Sequence, residues 1–237
     1  LSAGVLKTIT SPLSIDIHSH ILPSIDDGPK SLNESIELIE KMNNAGINKI
    51  IATPHIYPGT FNNNKKIIKT SFNKIKFMQG EKLKLDYAAE YLIDHYLIEL
   101  ANENKILTIT KNYILVEFSY LFKFKKYHEV IFALKTNDYI PILAHPERYS
   151  FISNQEFFEL KKIGCLFQTN LLSFSDYYGI QTKKKAEFLI KNNLIDFIAT
   201  DFHRINQIKF AEKSVSIDKK NLLSLSEIMG NNRKIFK

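Results

Sequence analysis

The sequence predicts an α/β fold: a parallel sheet of seven strands, open or closed into a barrel, with helices crossing between successive strands. Three observations predict it. Short apolar runs rich in Ile, Leu, Val and Phe recur along the 237 residues, stretches of helical length and periodicity separate them, and polar residues able to bind metal follow nearly every run. Repeated β-then-α units imply parallel strands with right-handed crossovers.

The first strand is Ile15 to His18. A capping box, Ser31-Leu-Asn-Glu34, then starts a helix in which Ile36, Ile39, Met42 and Ala45 recur at helical spacing until Gly46 stops it. Lys49 to Thr53 is the second strand, and Asn64 to Met78 reads as the next helix. Ile67, Ile68, Phe72 and Ile75 give that helix an apolar face, so its lysines form a solvated back, although the segment begins near the mouth and would there meet an acidic tail. Leu83 to Ala89 and Tyr113 to Phe118 are the third and fourth strands. Helices at Tyr127 to Thr136, Gln155 to Ile163 and Lys183 to Asn192 lead into strands at Ile140 to Ala144, Cys165 to Thr169 and Ile195 to Thr200. There is no repeat and no linker rich in Pro, Gly or Ser. One domain over residues 14–237 is expected, with residues 1–13 as an N-terminal extension.

Composition narrows the function classes. A 44 % hydrophobic content suits a globular core, and the net charge of +7 reflects lysines spread over the surface. One cysteine, Cys165, excludes an internal disulfide and a cysteine-based zinc knuckle. It sits in an apolar run, and the position six residues later is Leu171 where a thiol-dependent phosphatase loop needs arginine, so Cys165 is read as core. No apolar run is long enough to span a bilayer, and Leu1 to Pro12 lack a signal-peptide profile, so a soluble cytoplasmic protein is expected. Neither a phosphate-cradling glycine loop nor a nucleophile elbow occurs, and no basic-aromatic platform for nucleic acid is present.

The strand ends carry the chemistry. His18 and His20 follow strand one beside Asp26 and Asp27; His55 follows strand two, Glu90 strand three, Glu117 strand four, His145 strand five, and Asp201 and His203 strand seven. Strand six ends in Gln168-Thr-Asn170, which is polar but weak as a ligand set. The C-terminal ends of parallel strands share one mouth, so these groups are expected to converge. The nine candidates are His18, His20, Asp27, His55, Glu90, Glu117, His145, Asp201 and His203. Nine such groups exceed what one ion takes, and mixed imidazole and carboxylate donors favour manganese, iron or zinc over calcium. Arg148 follows His145 by three residues and has the planar fork that suits phosphate. His95 and His128 lie on helices away from the mouth. Tyr57, Phe61, Tyr91, Tyr120 and Phe122 sit in or near strand-end loops, where they would flank an aromatic substrate or pack in the core.

Seven segments together resemble the PHP (polymerase and histidinol phosphatase) superfamily, and within it the metal-dependent protein-tyrosine phosphatases of bacterial capsule and exopolysaccharide loci. They are Asp16-Ile-His-Ser-His-Ile-Leu-Pro, Asp26-Asp-Gly-Pro, Ile51-Ala-Thr-Pro-His55, Ala89-Glu-Tyr91, Val116-Glu-Phe-Ser119, Ala144-His-Pro-Glu-Arg-Tyr149 and Thr200-Asp-Phe-His203. The resemblance implies a distorted (β/α)7, TIM-barrel-like fold with two or three divalent ions, manganese foremost, with iron, zinc or cobalt as alternatives. It implies one ion on His18, His20, Glu90 and Asp201, a second on Glu90, Glu117 and His145, and a third on Asp27, His55 and His203. It further implies catalytic roles for Arg148, Asp201 and His203 and substrate contacts from Arg148 and Arg204. Where the family carries a further arginine some residues after the last histidine, this chain has Arg204 at once. The implied activity is hydrolysis of phosphotyrosine on the tail of a bacterial tyrosine kinase, by metal-assisted attack of water and without a protein nucleophile. A small-molecule phosphatase such as histidinol-phosphate phosphatase, a metal-dependent nuclease, or a non-catalytic phosphoprotein-binding module are the alternatives.

Overall fold

The computed structural model describes residues 14–79, 83–121, 123–214 and 219–236; the expected N-terminal extension, residues 1–13, and Phe122 lie outside the described residues. The strands are β1 (Ile15–Ser19), β2 (Lys49–Ala52), β3 (His55–Ile56), β4 (Lys84–Tyr87), β5 (Glu90–Leu92), β6 (Tyr113–Glu117), β7 (Ile140–Ala144), β8 (Leu166–Asn170) and β9 (Phe197–Ala199). The helices are α1 (Leu32–Asn44), α2 (Lys65–Gln79), α3 (His95–Asn102), α4 (Tyr127–Thr136), α5 (Asn154–Lys162), α6 (Ile180–Lys191), α7 (Ile205–Ser214) and α8 (Lys219–Lys234). All pairings between these strands are parallel.

The strands form two sheets, β1-β2-β4 and β3-β5-β6-β7-β8-β9. The second and third expected strands correspond to β2 and β4, and each is followed by a further short strand, β3 and β5. Pro54 has no N–H for a ladder and ends β2, and Ala88-Ala89 separates β4 from β5 in parallel with it. Backbone bonds bridge the step between sheets, from Ala88 N to Ala52 O at 2.8 Å and from Glu90 N to Pro54 O at 3.2 Å. The break has a consequence for chemistry: it sets His55 and Glu90 opposite each other as register partners of β3 and β5. The first and last strands meet through a bridge between Ser19 and Phe202, with Asp201 N donating to His18 O and His20 N to Phe202 O, each at 2.9 Å. Among the described residues no continuous ladder joins β1 to β9.

Alternation along the strands divides the core. Ile17, Ile51, Leu115, Ile142 and Ala199 form one apolar cluster, while Ile50, Val116, Leu143 and Phe167 pack outward with Leu38, Met42 and Leu134 of the helices. Ser31 caps α1 by accepting from Glu34 N, but the expected box is only half made, since Glu34 Oε2 accepts from Lys30 N instead of Ser31 N. On α2, Ile68, Phe72 and Ile75 are buried and the lysines solvated, whereas Ile67 is exposed and does not belong to the apolar face. Cys165 is buried in the core, which pushes its thiol up to about 12. His95 and His128 are exposed on α3 and α4. No helix among the described residues is long and apolar enough to cross a membrane.

Candidate metal centre

The nine candidate ligands come from the C-terminal parts of β1 and β6, from the segments after β1, β7 and β9, and from the first residues of β3 and β5, and they gather around the fully buried Glu90. Glu90 Oε2 lies 3.2 Å from His18 Nε2, 3.3 Å from His20 Nε2 and 3.1 Å from His55 Nδ1, and Oε1 lies 3.0 Å from His145 Nε2. Asp201 Oδ1 approaches the same two nitrogens of His18 and His20 at 3.3 and 3.5 Å. Glu117 Oε1 lies 2.8 Å from His55 Nδ1, and the half-exposed Asp27 closes the mouth against His203 at 3.2 Å and His55 at 3.5 Å.

Backbone conformation aims two of these side chains. His145 and Asp201, each just past a strand end, adopt φ of 35° and 54°, the left-handed region that non-glycine residues enter at a cost. A register irregularity in β1 between Asp16 and Ser19 flanks His18 in the same way.

Donors mutually within 4.8 Å fall into four sets: His18, His20 and Glu90; His18, His145 and Asp201; His55, Glu90 and Glu117; and His20, Asp27, His55 and His203. These groupings are not the ones the resemblance implies: Glu117 is near His55 and Glu90, and His145 is near His18 and Asp201 while also lying 3.0 Å from Glu90 Oε1. Glu90 remains the hub shared between sets.

The charges in the cluster fit divalent cations. Burial opposes ionisation of Glu90 and Asp201, yet the imidazoles of His18 and its neighbours hold both carboxyls below the usual range. Burial likewise opposes the charge on His20, and the Asp26 and Glu90 carboxylates override it and lift the imidazole to about 10. Protons thus stand where positive charge is demanded, and metal binding at such a site displaces them. Three of the central atoms, His55 Nδ1, Glu90 Oε2 and Glu117 Oε1, are buried without a hydrogen-bond partner although they lie close together. Lone pairs crowded in this manner suit a shared cation better than one another.

Several residues outside the nine orient them. Asp26 Oδ2 lies 2.9 Å from His20 Nδ1, which leaves Nε2 for a ligand, and the Asp201 carbonyl does the same for His203 Nδ1 at 2.9 Å. Gln168 Oε1 takes this place beside His18 Nδ1 at 2.7 Å. Asp16 accepts from Thr200 N at 3.0 Å and so fixes β1 to the end of β9. Sequence reasoning named Asp26, Gln168 and Asp16 only within or beside the motifs and did not assign them as supports. The signal for Gln168 and Asn170 was their i, i+2 spacing at a strand end, which puts both on one face.

A cleft of about 340 Å³ opens over the cluster, lined by Asp27, Arg148, Tyr120, Tyr178, His203 and Arg204 among others. Arg148 donates to Asp201 Oδ2 at 2.9 Å rather than to neighbouring Glu147, and its guanidinium lies between the rings of Tyr120 and Tyr178, 4.8 and 4.3 Å from their centroids. One of its five N–H groups is accounted for by that bond, which leaves others to face the cleft. Arg204 stays exposed at the rim. Of the rim aromatics expected from sequence, Phe61 stacks on His55 at 5.2 Å and Tyr120 on His145 at 5.7 Å. Tyr91 is instead core, its hydroxyl accepting from Leu107 N at 2.7 Å.

Residues 14–222 match the family model described as capsular polysaccharide synthesis, CpsB/CapC. The tyrosine-protein phosphatase CpsB of Streptococcus agalactiae is 32 % identical over 204 residues, covering 81 % of this chain and 84 % of the relative. The tyrosine-protein phosphatase YwqE of Bacillus subtilis is 30 % identical over 210 residues, covering 83 % and 80 %. A crystal structure from work on YwqE of Bacillus subtilis and CpsB of Streptococcus pneumoniae, described as unique metal-dependent tyrosine phosphatases, superposes with a TM-score of 0.78 at 27 % identity, over 92 % of this chain and 94 % of that one.

Proposed function

The chain belongs to the CpsB/CapC family of capsular polysaccharide synthesis proteins, and from that membership we propose that it is a metal-dependent protein-tyrosine phosphatase. The observation that carries this reading is the convergence of nine imidazole and carboxylate groups beneath a cleft that also holds a partly buried arginine. The finer reading has the strands act as a distorted seven-stranded barrel and the cluster hold two or three divalent ions, manganese foremost. Its substrate is the phosphotyrosine tail of a bacterial tyrosine kinase that governs polysaccharide export, in the cytoplasm.

The four donor sets around Glu90 would hold the ions, with Asp201 and His203 among their ligands. Bound divalent cations supply Lewis-acid polarisation of the phosphoryl oxygens and a source of nucleophilic water at neutral pH. The protein's own groups do the rest. Arg148, fixed by Asp201 and the two tyrosine rings, turns its remaining N–H groups to the phosphoryl oxygens and stabilises the charge that grows on them during displacement. Arg204 at the rim adds a second positive charge for the incoming phosphate. Tyr120 presents its hydroxyl 3.3 Å from His145 Nδ1 and lines the cleft, where as a phenol un-ionised at neutral pH it can donate. A phenol with pKa near ~10 departs more readily than an alcohol and makes little demand on a general acid.

Phosphate release from a phosphotyrosine peptide, measured after chelation and again after manganese, zinc, iron or cobalt is restored, tests the proposal. Metal-restored turnover of the peptide in preference to histidinol phosphate is expected. Preference for histidinol phosphate would replace the substrate class, and peptide binding without release under every metal would make the protein a recognition module.

A further inference from the structure

His18 and Asp201 are joined behind the centre by two amides of β8. Gln168 Oε1 lies 2.7 Å from His18 Nδ1, Gln168 Nε2 donates to Asn170 Oδ1 at 2.9 Å, and Asn170 Nδ2 donates to Asp201 Oδ2 at 2.6 Å. Both amide residues are 0 % exposed, so water cannot replace any link.

Such a chain has a direction, and its far end sets it. Asp201 Oδ2 already accepts from Arg148, a group with donors only, so it also accepts from Asn170. Asn170 must then present its NH2 to Asp201, which turns its carbonyl to Gln168. Gln168 must present its NH2 in turn, which leaves its carbonyl for His18. A carbonyl can only accept, so His18 Nδ1 carries a hydrogen, and in the neutral ring that a cation would bind Nε2 is the nitrogen with the lone pair. That nitrogen faces Glu90 Oε2 at 3.2 Å and Asp201 Oδ1 at 3.3 Å, inside the cluster.

We propose that Gln168 and Asn170 are positioning residues that fix the tautomer of His18 from Asp201, so that Nε2 is the atom offered to a divalent cation. The proposal rests on the metal-centre reading above. His20 obtains the same tautomer from the Asp26 carboxylate directly, at 2.9 Å. At His18 a neutral relay does this work without adding another negative charge to a buried cluster that already holds Glu90, Glu117 and Asp201.

The test uses zinc as a diamagnetic probe on the full chain. Zinc affinity is measured by competition with a chelator for the wild type, Gln168→Leu, Gln168→Glu and Asn170→Leu, and the histidine ring nitrogens of the zinc-loaded wild type are read by 15N-edited NMR. Loss of the partner in Gln168→Leu is expected to weaken zinc binding by about 10- to 100-fold. Gln168→Glu keeps an acceptor for Nδ1–H, although it loses the donor to Asn170 and adds charge, so it should recover part of the affinity lost in Gln168→Leu, a rescue that a merely space-filling role would not produce. Asn170→Leu should fall between them. The spectrum should show His18 protonated at Nδ1 and coordinated at Nε2. Wild-type affinity in Gln168→Leu, or His18 coordinated through Nδ1, overturns the relay; the wild-type spectrum decides even if the leucine variant does not fold. Absence of zinc binding by the wild type would instead overturn the metal-centre reading itself.

Discussion

Removing metal should destabilise the fold by an amount that the centre itself sets. Three buried atoms, His55 Nδ1, Glu90 Oε2 and Glu117 Oε1, have no hydrogen-bond partner when only protein atoms are present. A buried polar atom left unsatisfied costs ~1–3 kcal/mol, so ligation of all three would return on the order of 3–9 kcal/mol. For a chain of this size each kcal/mol moves Tm by about 2–4 °C, which puts the shift between metal-free and loaded protein on the order of 10 °C or more. Linkage adds a second expectation: above the Kd, each tenfold rise in free metal contributes about 1.4 kcal/mol further. Thermal unfolding followed by fluorescence, on chelator-treated protein titrated with manganese, reads both quantities. Glu90→Gln should abolish most of the rise, because Glu90 is shared by two of the donor sets. A Tm that stays constant from metal-free to millimolar metal, with manganese, zinc, iron and cobalt alike, would refute the reasoning, and so would a full rise in Glu90→Gln.

Arg148→Lys keeps a charge but loses the planar fork; kcat/KM for a phosphotyrosine peptide should fall by ~10- to 100-fold at saturating metal, as expected for charged hydrogen bonds worth ~1.5–3 kcal/mol. Full recovery of the rate with excess metal would show that Arg148 serves only Asp201. Asp16 is buried, which raises its carboxyl from the ordinary 3.8 to about 6 against the opposing bonds from Thr200. A carboxyl whose pKa is raised on folding stabilises fully below its unfolded pKa and loses that contribution as pH rises through the folded one, so Asp16→Asn should gain roughly 2 kcal/mol relative to wild type between pH 4 and 7. Denaturant unfolding of both proteins at the two pH values measures it, and a constant difference would count against the shift. At Gly28 a Cβ would stand 2.5 Å from the His20 carbonyl oxygen and 2.9 Å from Asp26 Oδ1. Gly28→Ala should therefore loosen Asp26 from His20 and weaken metal binding by about 10- to 100-fold in a chelator competition, with unchanged affinity arguing that Asp26 does not orient the ring.

Most of the candidate donors could be picked out in the sequence because they follow short apolar runs, and such a run announces a strand whose C-terminal end opens on the common mouth. His18, His55, Glu90, Glu117, His145 and Asp201 all obey that rule. Their supports do not. Asp26 meets His20 through a loop, and Gln168 meets His18 from a strand 150 positions away. For Tyr91 the sequence left a rim place and a core place open, and the structure buries it in the core.

What the sequence determined by itself is local in origin: the order of strands and helices, which depends on side-chain periodicity, and the identity of the donors at the strand ends. Which donors come together, which nitrogens of His18, His20 and His203 are occupied by protein partners, and where Arg148 finds its carboxylate were decided only by the tertiary structure. Those choices depend on contacts across the sheet and on angles within an ångström or two, and no pattern of neighbours along the chain encodes a distance between residues that only folding brings together.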